Sequence, residues 1–581
     1  MSKIVIIDSG VAKDVIGNCS GYNLIDYSLN IEDDLGHGTA VAYQISKQHP
    51  YLSIFIIKLF DKEHREISEE KLIEALDWIY NQLDDYILIH ISAGIKTCDN
   101  YYQLEKICKK FFKKNIFIVS AFDNAGCMSF PAAFENVIGV DYDVTCVDAS
   151  TYIHIKNSPV NFKAKGIDWR LPNEKGHFCT VSGSSFAAPV ISNKIIDLYY
   201  RYRDYNVILK KLIEGANRIE ENPKLYVNNG PDFHINEAIV LPYNKEIQTL
   251  VLNQNKLKFE IKEIVEIGIS QKQDKYTSIA YKNINWADKH FDTVILGHLE
   301  VLEKATNLKI TENVIKNCLM YRKNLYAFDD ISSYKDILNE FKKYGISYYY
   351  YPVKQKINKT STVRRLYNFS TPVLGVVGTS PRQGKLTLQV NLKSSLENVG
   401  YKCGFFSTEQ SGFLYGADCI FPNGYGSGNS NESINTIILI NKMMHSIDIK
   451  GYDIILVGFQ SQIIPYSLGN IGFYPLAQHD QILATCPDGF ILTVNYDDAE
   501  DYIERAINYL NSIVYGEVIA IYLFGYKIDR LSFIQHKEPV NIEKDLLSAK
   551  ARSLAEKFGI PVFFDNQYSE LIETIENFFQ E

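Results

Sequence analysis

Four apolar runs open the chain: KIVIID at 3–8, LSIFIIKLF at 52–60, YILIHIS at 86–92 and NIFIVSA at 115–121. None alternates cleanly between apolar and polar positions. A short, nearly continuous apolar run predicts a strand covered on both faces, as in a parallel sheet. The stretches between them, SEEKLIEALDWIYNQL at 68–83 and YYQLEKICKKFFKK at 101–114, repeat apolar residues at helical spacing and predict covering helices. Further on the same rhythm returns in KFEIKEIVEIGI, FDTVILGHLE, NLYAFDDIS and YKDILNEFKKYGISYYYYP, and a third time from TPVLGVVGTS at 371–380. The fold class expected throughout is α/β, with parallel sheets.

At 581 residues the chain is too long for one core, and three blocks fit its pattern: 1–241, 242–369 and 370–581. A composition of 46% hydrophobic and 22% charged residues describes a folded protein rather than a disordered or fibrous one. The net charge of -9 argues against a dedicated nucleic-acid or anionic-membrane binder. The first apolar run ends at once in Asp8, unlike a secretory signal, and no uninterrupted run reaches membrane-spanning length. Ten scattered cysteines show no metal-ligand spacing, so no metal site is expected, and a reducing cytoplasmic setting fits best.

Functional groups of a parallel sheet gather at the carboxyl ends of its strands, and Asp8 stands at such an end. Next comes DDLGHGTAVAYQI, where Gly36 and Gly38 bracket His37 as a helix begins. The third marker is VSGSSFAAPVISNKIIDLYY, a glycine turn entering a helix whose Pro189 is acceptable only near the first turn. Taken singly, the Asp and the GHGT are more often an ordinary turn or helix cap, and GSSFAAP can also be read as a small-residue helix start.

In this chain order, however, the Asp, the His in GHGT and the Ser in GSSFAAP resemble the subtilisin-like serine proteases. AFDNAG with SFPAAFENVIGV resembles that family's oxyanion-asparagine loop, ISAGIKT its substrate-binding strand and GPDFHINEAIVL its closing segment, about 240 residues in all. The resemblance implies Ser185 as nucleophile, His37 as general base and Asp8 as its orienting carboxylate. It implies Asn124 as an oxyanion donor, and Ser92, Ala93 and Gly94 as a strand that pairs with the substrate. Two departures stand out. Asp123 precedes Asn124 where the family usually has glycine, which would strain a loop needing positive φ, and no pro-segment is read ahead of the first strand.

Residues 242–369 read as a small Rossmann-like domain without G-x-G-x-x-G, so no cofactor is assigned to them. The run Tyr348–Tyr351 reads as a strand of β-favouring aromatics rather than a base-stacking platform, and CKKFFKK as a solvated helix face. In GVVGTSPRQGKLTLQ an apolar strand, a glycine-bounded loop and a helix start form the parts of a phosphate cradle. Five residues separate Gly378 from Gly384, and Leu386 lies between Lys385 and Thr387, unlike the common G-x4-G-K-[ST] pattern.

This form resembles dethiobiotin-synthetase-like P-loop proteins. In particular it resembles a Rossmann plus P-loop family whose best-described branch is associated with amino-acid N-acetyl transfer. CGFFSTEQSGFLYGAD and YDIILVGFQSQIIPYSLGNIG extend the likeness, except that Glu409 replaces a usual glycine and Gly458 the strand-end acid. The implied ligand is ATP or another phosphate or pyrophosphate compound, held by Gly378, Gly384, Lys385 and Thr387, with magnesium left open; the protease itself needs no cofactor.

The fused arrangement also resembles bacterial peptide-maturation proteins. The expected function is therefore a cytoplasmic serine endopeptidase acting on a specific peptide or protein, such as the leader of a ribosomally made precursor, with a docking or regulatory phosphate-binding module. The alternatives are a P-loop-dependent ligase or acyltransferase with an accessory first block, and an idle peptide-binding scaffold. No nucleic-acid or membrane partner is expected, and oligomeric state is not legible.

Overall fold

The computed structural model describes residues 3–224, 227–228, 230–267, 278–352, 360–422, 433–527 and 540–580. It divides into two compact units, one of Met1–Leu225 with Asn358–Ser370, the other of Tyr226–Ile357 with Thr371–Glu581. No helix among the described residues is long and apolar enough to cross a membrane.

In the first unit β1 (Lys3–Asp8), β2 (Cys19–Asn23), β3 (Ser53–Lys58), β4 (Tyr86–Ile91), β5 (Phe117–Ala121), β6 (Ile138–Tyr142), β7 (Tyr152–Lys156) and β8 (Val160–Ala164) share one sheet. The hairpin of β9 (Trp169–Pro172) and β10 (Phe178–Val181) stands apart, and β11 (Arg218–Glu221) closes the sheet edge. The order is β11-β7-β8-β6-β5-β4-β1-β3-β2, and every pair is parallel except β7 with β8.

Side chains of β1 alternate between two cores. Ile4 and Ile6 pack with Ala40, Val41, Ile191 and Ile195, from the helices His37–Ser46 and Ala188–Tyr202. Val5 and Ile7 pack with Leu72, Leu76 and Ile107, from the helices Glu69–Gln82 and Tyr101–Lys113 on the opposite face. All four β1 side chains are wholly buried, each contributing about 1.5–3 kcal/mol relative to exposure. This arrangement puts the helices that follow His37 and Ser185 on the same face. After β3 the chain crosses to β4 on the other side of β1, so Asp8 ends the strand at which the order reverses, the usual place for a site in such sheets.

Among the described residues the second unit holds two large sheets, besides a short antiparallel pair of Tyr526–Lys527 with Val540–Asn541. The first contains β12 (Glu237–Leu241), β13 (Glu260–Glu266), β14 (Ser278–Ala280), β15 (Thr293–Leu296), β16 (Asn324–Ala327) and β17 (Tyr348–Tyr350) in the order β14-β13-β12-β15-β16-β17. The second contains β18 (Val373–Gly378), β19 (Cys403–Ser407), β20 (Cys419–Ile420), β21 (Ile454–Gly458), β22 (Gly489–Asn495), β23 (Glu517–Phe524) and one last strand, Val562–Phe563, with β18 between β21 and β22. All pairs in both sheets are parallel. The tyrosine run forms the edge strand β17, with Tyr349 and Tyr351 buried.

The division differs from three contiguous blocks at two places. EAIVL at 237–241, read as the close of the first block, is the centre of the six-stranded sheet, where its apolar side chains are covered on both faces between β13 and β15. Residues 360–369, read as part of the middle block, and Ser370, read as the start of the third, belong with the first unit.

Candidate active site

Asp8 is wholly buried, and its Oδ1 lies 2.8 Å from His37 Nδ1 while accepting the Ser9 N–H at 2.7 Å. Two glycines make this approach possible. Gly36, at φ 81°, turns the chain into the helix that starts on His37. At Gly38 a Cβ would stand 2.2 Å from the Gly10 carbonyl oxygen, so any side chain would push the helix start off the loop after β1.

Asp33 ties these loops together. It accepts the Ser9 hydroxyl at 2.9 Å, the Thr39 N–H and hydroxyl at 2.8 and 2.7 Å, and the N–H groups of Leu35 and Gly36 at 3.0 and 2.9 Å. Sequence reasoning passed over Asp33; its signal is an acid four positions before the histidine.

Burial pushes the Asp8 carboxyl up, but attraction to His37 and the hydrogen bond to it prevail, and Asp8 is held below the usual carboxylate range. Burial pushes His37 down, and Asp8 overcomes that to raise it above an ordinary histidine. Because the carboxylate accepts at Nδ1, the neutral ring carries its proton there and presents Nε2 as its basic nitrogen. Among the described residues Nε2 makes no hydrogen bond.

Ser185 lies in the short turn Ser184–Phe186, after which the helix Ala188–Tyr202 carries Pro189 in its first turn. The Phe186 ring stands 5.3 Å from the His37 ring, which brings the two glycine turns together. Ser185 is 5% exposed and its hydroxyl donates to the Ser92 carbonyl at 3.0 Å, not to His37. Attack by this serine therefore requires its hydroxyl to turn to the imidazole; such bonds are commonly loose before substrate binds.

Behind Ser92 lies a second histidine that sequence reasoning missed. His90 sits 2.9 Å from Ser192 Oγ at Nδ1 and 3.1 Å from Ser92 Oγ at Nε2. Burial pushes it down to about 4, so it is neutral near neutral pH and holds Ser92 by hydrogen bonds without adding charge.

Asn124 lies against the same turn, its Oδ1 accepting the Ser184 N–H and hydroxyl, each at 2.9 Å. The residue before it is unstrained. Asp123 is not among the positive-φ residues, and its carboxylate accepts the Ala125 N–H at 2.7 Å, closing its own turn. Positive φ falls instead at Gly126. Ser92, Ala93 and Gly94 continue β4 to Ile95, which pairs with Phe130. Among the described residues the backbone groups of Ala93 and Gly94 make no hydrogen bond, so they are open to an added strand.

The glycine-bounded loop of the second unit also forms as expected, with Gly384 left-handed at φ 67° before the helix Lys385–Asn398. Its polar atoms are engaged internally. Gln383 Oε1 accepts the Ser380 N–H at 3.0 Å and the Thr493 hydroxyl at 3.1 Å, while Nε2 donates to Thr379 Oγ1 at 2.6 Å. A Cβ at Gly378 would stand 2.5 Å from that same Gln383 oxygen. Lys385 donates to the Ser380 carbonyl at 2.7 Å, and burial pushes it down to about 7. Thr387 accepts from Asn253 Nδ2 at 3.1 Å. At Gly458 a Cβ would meet Gln389 Oε1 at 2.3 Å, so the space for a strand-end acid is taken by an amide.

No family model and no curated protein matches this chain. Similar solved structures include a cold adapted subtilisin-like serine proteinase, at 17% identity over 37% of this chain and 81% of that one, with a TM-score of 0.31. A lanthipeptide protease is similar at 17% identity over 36% of this chain and 77% of that one, TM-score 0.30. The epidermin leader peptide processing serine protease of Staphylococcus aureus is similar at 20% identity over 37% of this chain and 68% of that one, TM-score 0.30.

Proposed function

We propose that the first unit is a serine endopeptidase acting on a peptide or protein substrate in the cytoplasm, a precursor peptide bearing a leader segment being the substrate the sequence resemblance favours. One observation carries the reading: a buried carboxylate 2.8 Å from Nδ1 of a half-buried histidine, with the other ring nitrogen free of hydrogen bonds among the described residues and beside a serine turn.

In this reading the substrate adds as a strand to Ser92–Gly94, and Ser185 Oγ attacks the scissile carbonyl carbon as its proton passes to His37 Nε2. Asp8 holds the tautomer and stabilises the imidazolium. The Asn124 amide and the Ser185 N–H meet the oxyanion, the amide contributing about 3–4 kcal/mol to the barrier. The imidazolium then protonates the leaving amine, and water, deprotonated by His37, hydrolyses the acyl-enzyme.

A second role is proposed for the other unit. Helix N-terminus, left-handed Gly384 and buried Lys385 form a site for a phosphate-bearing ligand such as ATP, which docks or regulates once Gln383 gives up its bonds in the loop.

The test is mass spectrometry of a complex peptide mixture incubated with the parent and with Ser185→Ala. Recurrent new termini from the parent, absent with the variant, are expected. Cleavage that survives in the variant, or is missing from the folded parent, contradicts the reading.

A further inference from the structure

The oxyanion side of this site is braced from a distant part of the chain. Residues 360–370 come between β17 and β18, yet they pack within the first unit. The Asn222 side chain accepts from the Ser361 hydroxyl at 3.2 Å and from the Thr362 N–H at 3.0 Å. Val363 is buried with Phe122, Met128 and Ala132, the Met128 N–H donates to the Leu366 carbonyl at 2.8 Å, and Tyr367 stacks 6.2 Å from the Phe130 ring.

Between these anchors Arg365, its side chain 7% exposed, makes four bonds. Nε and Nη2 hold the two oxygens of Asp141 on β6 at 2.8 and 2.7 Å. Nη1 donates to the carbonyls of Asp123 and Cys127 at 2.8 and 2.7 Å. Those two carbonyls are the ends of the loop that carries Asn124, and the guanidinium lies 5.0 Å over the ring of Phe122, just before it.

Arginine is the side chain suited to this position. Its planar fork matches a carboxylate bidentately and still has an N–H edge for two carbonyls, whereas a lysine ammonium has three donors and no such plane. The two carbonyls are half-buried, and loss of the guanidinium would remove these bonds, at a cost that keeps the clamp closed.

We propose that Arg365 is a positioning residue for peptide-bond cleavage: by pinning both ends of the 123–127 loop it holds the Asn124 amide where the oxyanion develops. A brace of this kind adds to the transition state, because oxyanion donors act through preorganisation and lose their effect when the loop wanders. The proposal rests on the endopeptidase reading. It goes further in making the competence of the first unit depend on a segment whose two chain ends both run into the second. The isolated block 1–241 would lack it.

The experiment measures kcat and KM for a cleaved peptide with the full-length parent, Arg365→Lys, Asn124→Ala and the double variant, with Tm recorded for each. Arg365→Lys is expected to lower kcat about tenfold with KM within about twofold, and to change kcat less than about twofold once Asn124 is already alanine. Should the lysine variant unfold, Asp141→Asn, which leaves the guanidinium on the two carbonyls, replaces it with the same expected pattern at smaller size. An equal loss in both Asn124 backgrounds, or no loss in a folded variant, overturns the proposal. A parent that cleaves nothing overturns the endopeptidase reading itself, so the two failures are told apart.

Discussion

At Gly36–His37 and at Gly384–Lys385 a left-handed glycine, with φ of 81° and 67°, opens a helix on a titratable side chain. In the first, His37 is bonded at one nitrogen only among the described residues, and the Ser185 turn lies against its ring. In the second, the lysine, the threonine and a backbone N–H of the loop are taken up by Ser380, Asn253 and Gln383 of the same unit. Similar local backbone thus leaves a basic nitrogen without a partner among the described residues in one case and satisfies the polar atoms in the other. Spacing predicts the turn, but chemistry depends on which polar atoms have no internal partner.

The largest effect should come from breaking the His37 pair. Asp8→Asn keeps the shape but loses the acceptor that fixes the tautomer, and kcat should fall by about 10³–10⁴-fold in steady-state cleavage. The pH profile sharpens the same point. His37 works as a base when neutral, so the parent rate should rise through an ionisation above 6.5, because Asp8 raises this histidine. In Asp8→Asn that midpoint should move down. Stability runs the other way: a raised histidine stabilises the fold below its unfolded value, and that contribution is lost as pH rises through the folded one.

The smallest effect belongs to the filled loop. Gln383→Ala frees the Ser380 N–H, while the Thr379 hydroxyl keeps its bond to Asp498, and calorimetric ATP affinity should rise about fivefold, the worth of roughly 1 kcal/mol of hydrogen bonding displaced. Unchanged or weaker binding would mean that Gln383 does not compete with the ligand.

Much of the first site was legible because its parts are local. Asp8 ends an apolar strand, His37 and Ser185 follow glycine turns, and each pattern spans fewer than a dozen residues. What was not legible acts across the chain. Arg365 reaches Asp141 from 224 positions away, and Ser92 is held by a histidine that looks in sequence like any interior strand residue. The expected strain at Asp123 disappears because its own carboxylate makes the turn. The strand at 237–241 reads as the close of the first block yet pairs with β13 and β15, because an apolar strand declares its burial, not its neighbours. The filling of the 378–387 loop by Gln383 is a side-chain packing result that no spacing rule encodes.

The central claim is that Asp8, His37 and Ser185 act as one unit, and intact-mass analysis after exposure to a fluorophosphonate probe tests it most directly. The account predicts a single adduct on the parent, mapped to Ser185 and lost in both Ser185→Ala and His37→Ala. An adduct that persists without Ser185, or a folded parent that takes none, would contradict it.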